Sequence, residues 1–327
     1  MIISKTPYRI SFFGGGTDYP VWYRENGGAV LATTIDKYCY ITGRFLPPFF
    51  EHKHRIVYSK VENVKSISQI KHPSVRATLK YMGIEEGVEI HYDGDLPART
   101  GIGSSSSFTV GLLHSLYALK GLMPAKLRLA NEAIHIERNI LKEHVGSQDQ
   151  ILAAFGGFKK ISFSGDDDFK LTPVITNHSR LQELQDHLML VFTGFSRFAS
   201  EIAKSQIKNT HKRKSELTSM CRMVDEALKI VIENGDIKDF GRLLHESWKL
   251  KRSLTDKIST PEIDDIYNTA YKSGAMGGKL LGAGGGGFMI LFVEPDKQPR
   301  IKKSLKNVLH VPFKFENSGS EIIFHRA

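Results

Sequence analysis

Apolar positions along the chain change their period several times, and each change marks an element. The runs "YRISFF", "AVLATTI", "YCYITGRFL" and "VEIHYD" are rich in β-branched and aromatic residues and predict strands. Residues 104–120 are apolar nearly all round, which predicts a helix buried on every side. In 125–143 the apolar residues recur at helical spacing with charges opposite, as in a half-exposed helix. A further helix is expected over 147–155, ending at Gly156-Gly157 before the strand "FKKISFS". "SGDDDFKLTP" (164–173) reads as a loop, and a domain boundary is expected between it and residue 185. After the strand "HLMLVFTG" the pattern is helical to about residue 252. Thr260 is the expected N-cap of another helix, with Pro261 at its first position and an end near Gly274. The strands "GFMILFV", "PFKFE" and "EIIFH" complete an α+β pattern of two domains, 1–180 and 181–327.

Composition narrows the partners more than the fold. With 41% hydrophobic and 24% charged residues, the 327-residue chain can bury a sizeable core. Its net charge of +10 favours anionic partners: nucleic acid, an anionic membrane or phosphorylated small molecules. Cys39 and Cys221 are the two cysteines and form no CxxC, which excludes a zinc ribbon and makes a reducing cytoplasm the expected location. Lys5 and Arg9 interrupt the start where a signal peptide needs an apolar core. "LLGAGGGGFMILFV" is too short and too rich in glycine to span a bilayer, so no membrane partner is expected. "KNTHKRKSE" (208–216) is basic but lacks aromatics and reads as a solvated helix junction, so no nucleic acid partner is expected either.

Four stretches could carry chemistry. In "PARTGIGSSSSF" the segment Gly101, Ile102, Gly103, Ser104, Ser105, Ser106 and Ser107 opens the buried helix. A serine N-cap alone would account for it, but glycines ahead of a helix N-terminus also let a phosphate approach free N–H groups. It is not a Walker A loop, since no Gly-Lys-Ser/Thr follows, nor a Gly-x-Ser-x-Gly nucleophile elbow. "PYRISFFGGGTDYP" runs a strand through Arg9 into Gly15, Gly16, Thr17 and Asp18, either a plain glycine turn or a place for polyol hydroxyls. "HIERNILKEHVGSQDQ" offers Glu137 and Asp149, the latter at a helix start where it could serve only the helix dipole or act as a general base. "KLLGAGGGGF" matches Gly-x-Gly-x-x-Gly by letter, yet a strand follows it and the dinucleotide reading fails.

In order and spacing, "TPYRISFFGGGTD", "LPARTGIGSSSSF" and "KLLGAGGGGF" resemble the three motifs of the GHMP kinase superfamily over the whole chain. The resemblance implies an N-terminal α/β domain with a left-handed βαβ crossover and a ferredoxin-like C-terminal domain, with ATP and substrate between them. It implies ATP wrapped by Gly101 to Ser107, Mg²⁺ on Ser105 and Glu137, and Asp149 as catalytic aspartate paired with Arg9. Glu137 stands twelve residues before Asp149, one more than in mevalonate-type members, which keeps Glu132 and Glu143 as alternatives. Thr17 and Asp18, with Gly15 and Gly16, would meet sugar hydroxyls, and Gly284, Gly285 and Gly286 would brace the phosphate loop and line the acceptor site.

"GGGTDYP", "VGSQDQILAAFGG", "TGFSR" and "LKRSL" are similar to bacterial heptose 7-phosphate kinases as a group. That likeness implies ATP-dependent phosphorylation of an anomeric hydroxyl, with Arg197, Lys249, Lys251 and Arg252 as candidates to grip the substrate phosphate. A kinase of a neutral sugar such as fucose or galactose is the alternative, and a non-catalytic sugar sensor is the rival from another class. A homodimer is left open.

Overall fold

The computed structural model describes residues 1–165, 167–194, 199–233 and 235–326. The hydrophobic runs of the first half become one large sheet. It contains β1 (Ile2–Phe13), β2 (Gly28–Phe45), β3 (His54–Val57), β4 (Val61–Val64), β5 (Val88–Gly94), β6 (Lys159–Phe163) and β7 (Phe169–Pro173). β1 alternates buried and half-buried residues at its start and is buried throughout from Thr6. The change of pattern follows from cover, because four helices from both halves of the chain pack against β1. "AVLATTI" and "YCYITGRFL" are a single strand, β2. The polar pair Asp36-Lys37 between them is absorbed where the register shifts opposite Pro7 and Tyr8. "FKLTP", expected as loop, is instead β7, paired antiparallel with β6.

The helices that matter to the site are α1 (Pro20–Asn26), α2 (Pro73–Tyr81), α3 (Ser104–Leu119), α4 (Lys126–Ile134) and α5 (Gln148–Phe155). α3 lies on β1 and β2 and is buried on nearly every face, as its apolar sequence requires. The amphipathic stretch 125–143 is α4 followed by a π turn, His135–Ile140. A π turn holds an extra residue, which turns Glu137 inward.

The second half builds α6 (His178–Asp186), β8 (Leu188–Phe192), α7 (Ala199–Asn209), α8 (Lys214–Ile232), α9 (Lys238–Ser253) and α10 (Pro261–Lys272). β9 (Gly277–Leu280), β10 (Phe288–Phe292), α11 (Gln298–Ser304) and β11 (Leu309–Val311) follow. These strands form an antiparallel sheet of order β11-β8-β10-β9. Thr260 caps α10, accepting from the Ile263 amide, with Pro261 first in the helix. β12 (Phe315–Glu316) and β13 (Glu321–His325) then return to pair with β2 and β1 of the large sheet. The two halves are therefore tied by strand pairing as well as by the cleft between them. No helix among the described residues is long and apolar enough to cross a membrane.

Candidate active site

β1 delivers Arg9 into the space between the two halves, where it is 4% exposed. A buried guanidinium is costly unless its donors are all met. Here Nε and Nη2 each donate to a different oxygen of Asp149 at 2.7 Å, and Nη1 donates to the Gly101 carbonyl at 2.6 Å. The Arg9 amide donates to the Ile102 carbonyl, so one residue fastens both the first turn of α5 and the loop before α3. Asp149 keeps about a quarter of its side chain exposed, open toward the cleft.

The loop Gly101–Gly103 reaches its shape through left-handed glycines, with φ of 81° and 75° at Gly101 and Gly103. Gly103 is the N-cap of α3, and no side chain caps that helix. Its first amides are left for an anion. A Cβ on Gly103 would lie 3.5 Å from the Asp149 carboxylate, so this N-terminus and the aspartate are immediate neighbours.

The four serines are not equivalent. Ser104 Oγ accepts from the Arg99 amide, Ser106 Oγ donates to Glu137 Oε2 at 2.9 Å, and Ser107 Oγ donates to the Pro7 carbonyl. Ser105 alone of the four is exposed.

Glu137 is fully buried, and its Oε1 has no hydrogen-bond partner. Burial pushes its carboxyl up to about 7, with the Glu143 charge adding to the rise and the hydroxyls of Thr109 and Ser106 and the Gln150 amide opposing it. An orphaned carboxylate oxygen beside an anion-ready helix end suits a divalent cation that takes its remaining ligands from phosphate. Neither alternative acid does so. Glu132 accepts from the Tyr117 hydroxyl, which lies within reach of both its oxygens, and pairs with Arg128. Glu143 is held up by burial, with the Arg99 charge opposing, but stands a step further along the same segment. Among the described residues no cluster of three or more His, Cys, Asp or Glu stands ready for a metal.

The glycine turn after β1 departs from its expected roles. Thr17 is fully buried, and its hydroxyl donates to the Gly14 and Ala29 carbonyls, so it holds the turn rather than offering itself to a sugar. Asp18 accepts from the Gly16 amide and from Gln148 Nε2, both at 3.0 Å. Burial raises its carboxyl, and the Asp149 charge adds to the rise. A Cβ on Gly15 would meet Ser11 Oγ and Gln148 Nε2 at ordinary contact distance.

The third glycine run braces the phosphate loop through different members than expected. Gly282 packs on Gly101 and Gly287 on Thr100, whereas Gly284 packs on Ile258 and the Gly285 amide donates to the Ile258 carbonyl.

Two buried lysines went unrecognised as supports. Lys251 Nζ donates to the Leu280 and Gly282 carbonyls at 2.7 and 2.6 Å, and Lys279 Nζ to the Phe12 carbonyl at 2.8 Å. Burial lowers both, with Lys279 near 7. Lys279, on β9, ties the approach to the third glycine run to the end of β1, and Lys251 ties the start of that run to α9. Gln148 and Gln150 were also missed. The polar triplet "QDQ" opening a helix that is otherwise buried and apolar was the available signal, because a buried polar group needs a partner. Of the cations proposed for a substrate phosphate, Lys249 pairs with Glu246, Arg252 with Asp264, and Lys251 is spent on carbonyls. Arg197 lies outside the described residues.

The family models for the GHMP kinases N terminal domain and the GHMP kinases C terminal match residues 69–157 and 199–311, together more than half of the chain. The chain is 28% identical to a D-glycero-alpha-D-manno-heptose 7-phosphate kinase of Campylobacter jejuni, over 93% of each. It is also 28% identical to a galactokinase of Pyrococcus furiosus, covering 92% of this chain and 91% of that one. A solved D-glycero-D-manno-heptose 1-phosphate kinase from Bacteroides thetaiotaomicron superposes over 100% of both chains, with a TM-score of 0.82 at 24% identity.

Proposed function

The chain belongs to the GHMP kinases and is a sugar kinase of that family, and from that premise we propose that it phosphorylates the anomeric C1 hydroxyl of D-glycero-D-manno-heptose 7-phosphate to the 1,7-bisphosphate. The observation that carries the proposal is the two-pronged Arg9–Asp149 pair set against the uncapped N-terminus of α3. Phosphoryl transfer asks chiefly for positioning and for neutralisation of charge on the transferred group. The amides that open α3 and the left-handed glycines before it would cradle the phosphates of ATP, and Gly282 on Gly101 fixes their curvature. Mg²⁺ would be held by Glu137 and Ser105 and would neutralise phosphate oxygens there.

Asp149 would take the proton of the acceptor hydroxyl as its oxygen bonds to the γ-phosphorus and the bond to the β-phosphate oxygen breaks, releasing ADP. Arg9 orients the carboxylate by fixing both of its oxygens. Asp18, Gly15 and Gly16 would meet the other sugar hydroxyls. The likeness to the C. jejuni heptose 7-phosphate kinase supports this acceptor, and the likeness to the galactokinase keeps a neutral sugar as the second reading. ADP release with Mg·ATP, measured against heptose 7-phosphate, mannose 6-phosphate, fucose, galactose and mevalonate, tests it. Turnover led by the heptose phosphate is expected; a neutral sugar leading would overturn the acceptor, and no turnover at all would favour a sensor.

A further inference from the structure

The basic run 208–216 has a place in the tertiary structure that its sequence did not indicate. α7 ends at Asn209, a 3₁₀ turn covers Thr210–Arg213, and α8 starts at Lys214. A small cleft opens at this turn, lined by Gly16 and Tyr19 from the first half and by Gln206, Thr210, Arg213, Leu217 and Leu254 from the second. Its first side belongs to the reaction centre. The Gly16 amide donates to Asp18, and the Tyr19 hydroxyl lies within the fields of Asp18, Asp149 and Arg9. Its second side is anchored to the third glycine run, because Gln206 donates to the Ala283 carbonyl at 2.8 Å.

Arg213 is the one cation among the described residues that line this cleft. Its guanidinium is 41% exposed and paired with Glu216 at 2.9 Å, within one turn of helix. A surface pair of that kind is worth little and exchanges readily for a doubly charged ligand. His211, Lys212 and Lys214 beside it are exposed and add to the local positive field. The charges of Asp18 and Asp149 act on Tyr19, on the first side of the cleft. A molecule carrying hydroxyls at one end and a phosphate at the other therefore has one favourable orientation: hydroxyls toward the acids, phosphate toward the turn.

We propose that the Thr210–Arg213 turn, with Arg213 as its principal contact, binds the phosphate the acceptor already carries and so selects phosphorylated sugars. The inference rests on reading the acceptor as a sugar phosphate. Arginine suits the task, since its planar fork meets two phosphate oxygens at once.

The test compares wild type, R213Q and R213K on heptose 7-phosphate and on unphosphorylated heptose, with K302Q, an exposed lysine of α11, as a charge control. Wild type should prefer the phosphorylated sugar. In R213Q the ratio of kcat/KM for phosphorylated over free sugar should fall about tenfold to a hundredfold, chiefly through KM for the sugar phosphate. R213K should recover part of the ratio, and K302Q should keep it. A wild-type enzyme without preference would defeat the sugar-phosphate reading and the site together. A preference that survives in R213Q would overturn the site alone and leave the reading standing.

Discussion

Arg9 and Asp149 are 140 residues apart in sequence and meet through two parallel bonds of 2.7 Å, one to each carboxylate oxygen. The same guanidinium grips the Gly101 carbonyl, so the aspartate and the phosphate loop share one support. Such a planar two-point contact fixes the orientation of the carboxylate as well as its charge.

Asp149→Asn should therefore lower kcat at least about a hundredfold while ATP still binds. The check is steady-state turnover alongside a direct nucleotide-binding titration. Near-normal turnover in the variant would remove Asp149 from the chemistry.

The buried Glu137 links pH to stability. Its carboxyl titrates near 7 in the folded chain, above the ordinary value near 4.5. Between these values the folded chain holds a proton that the unfolded chain has lost, so this group's contribution to stability declines as pH rises through that window. Glu137→Gln removes the penalty. In a chelator, its melting temperature relative to wild type should climb from about pH 5 to about pH 8, while activity with Mg·ATP drops. Parallel melting profiles would show that burial does not govern this carboxyl.

Ser105 and Ser106 should separate by phenotype. Ser106→Ala removes a donor from Glu137 and should cost about 1 kcal/mol of stability in thermal melts. Ser105→Ala exposes no buried group and should instead raise the Mg²⁺ concentration for half-maximal activity severalfold. An unchanged magnesium titration in Ser105→Ala would release that hydroxyl from the metal.

Gly282→Ala tests the contact between the glycine segments. The added Cβ would lie 2.5 Å from the Gly101 Cα, at a φ of 66° that side chains rarely adopt. A cost of roughly 1–3 kcal/mol is expected, and displacement of the phosphate loop should raise KM for ATP about tenfold. Denaturant melts and ATP saturation curves check the two effects, and an unaltered KM would mean the loop keeps its shape without that contact.

Much of the site was legible as motifs. Arg9, Asp149, Glu137 and the Gly101–Ser107 loop were all named from residue type and spacing, and the structure gathers them around one helix N-terminus. Thr17 and Lys251 show the limit of that reading. Both carry groups that could meet a ligand, yet one hydroxyl is used on Gly14 and Ala29 and one ammonium on Leu280 and Gly282. Which donors are consumed inside depends on backbone carbonyls brought from elsewhere in the chain, and no local pattern reports those.

Hydrophobic period, glycine placement and caps act over a few residues, so the sequence by itself determined the buried helix α3, the N-cap at Thr260, the left-handed loop before α3 and the α+β class. Tertiary structure alone decided which serine meets Glu137, that β12 and β13 rejoin the first sheet, and that the basic turn at Thr210–Arg213 rims the cleft beside Gly16. Those outcomes depend on packing between segments far apart in the chain. Their energy comes from burial and from satisfying polar groups that meet only once the whole chain has folded.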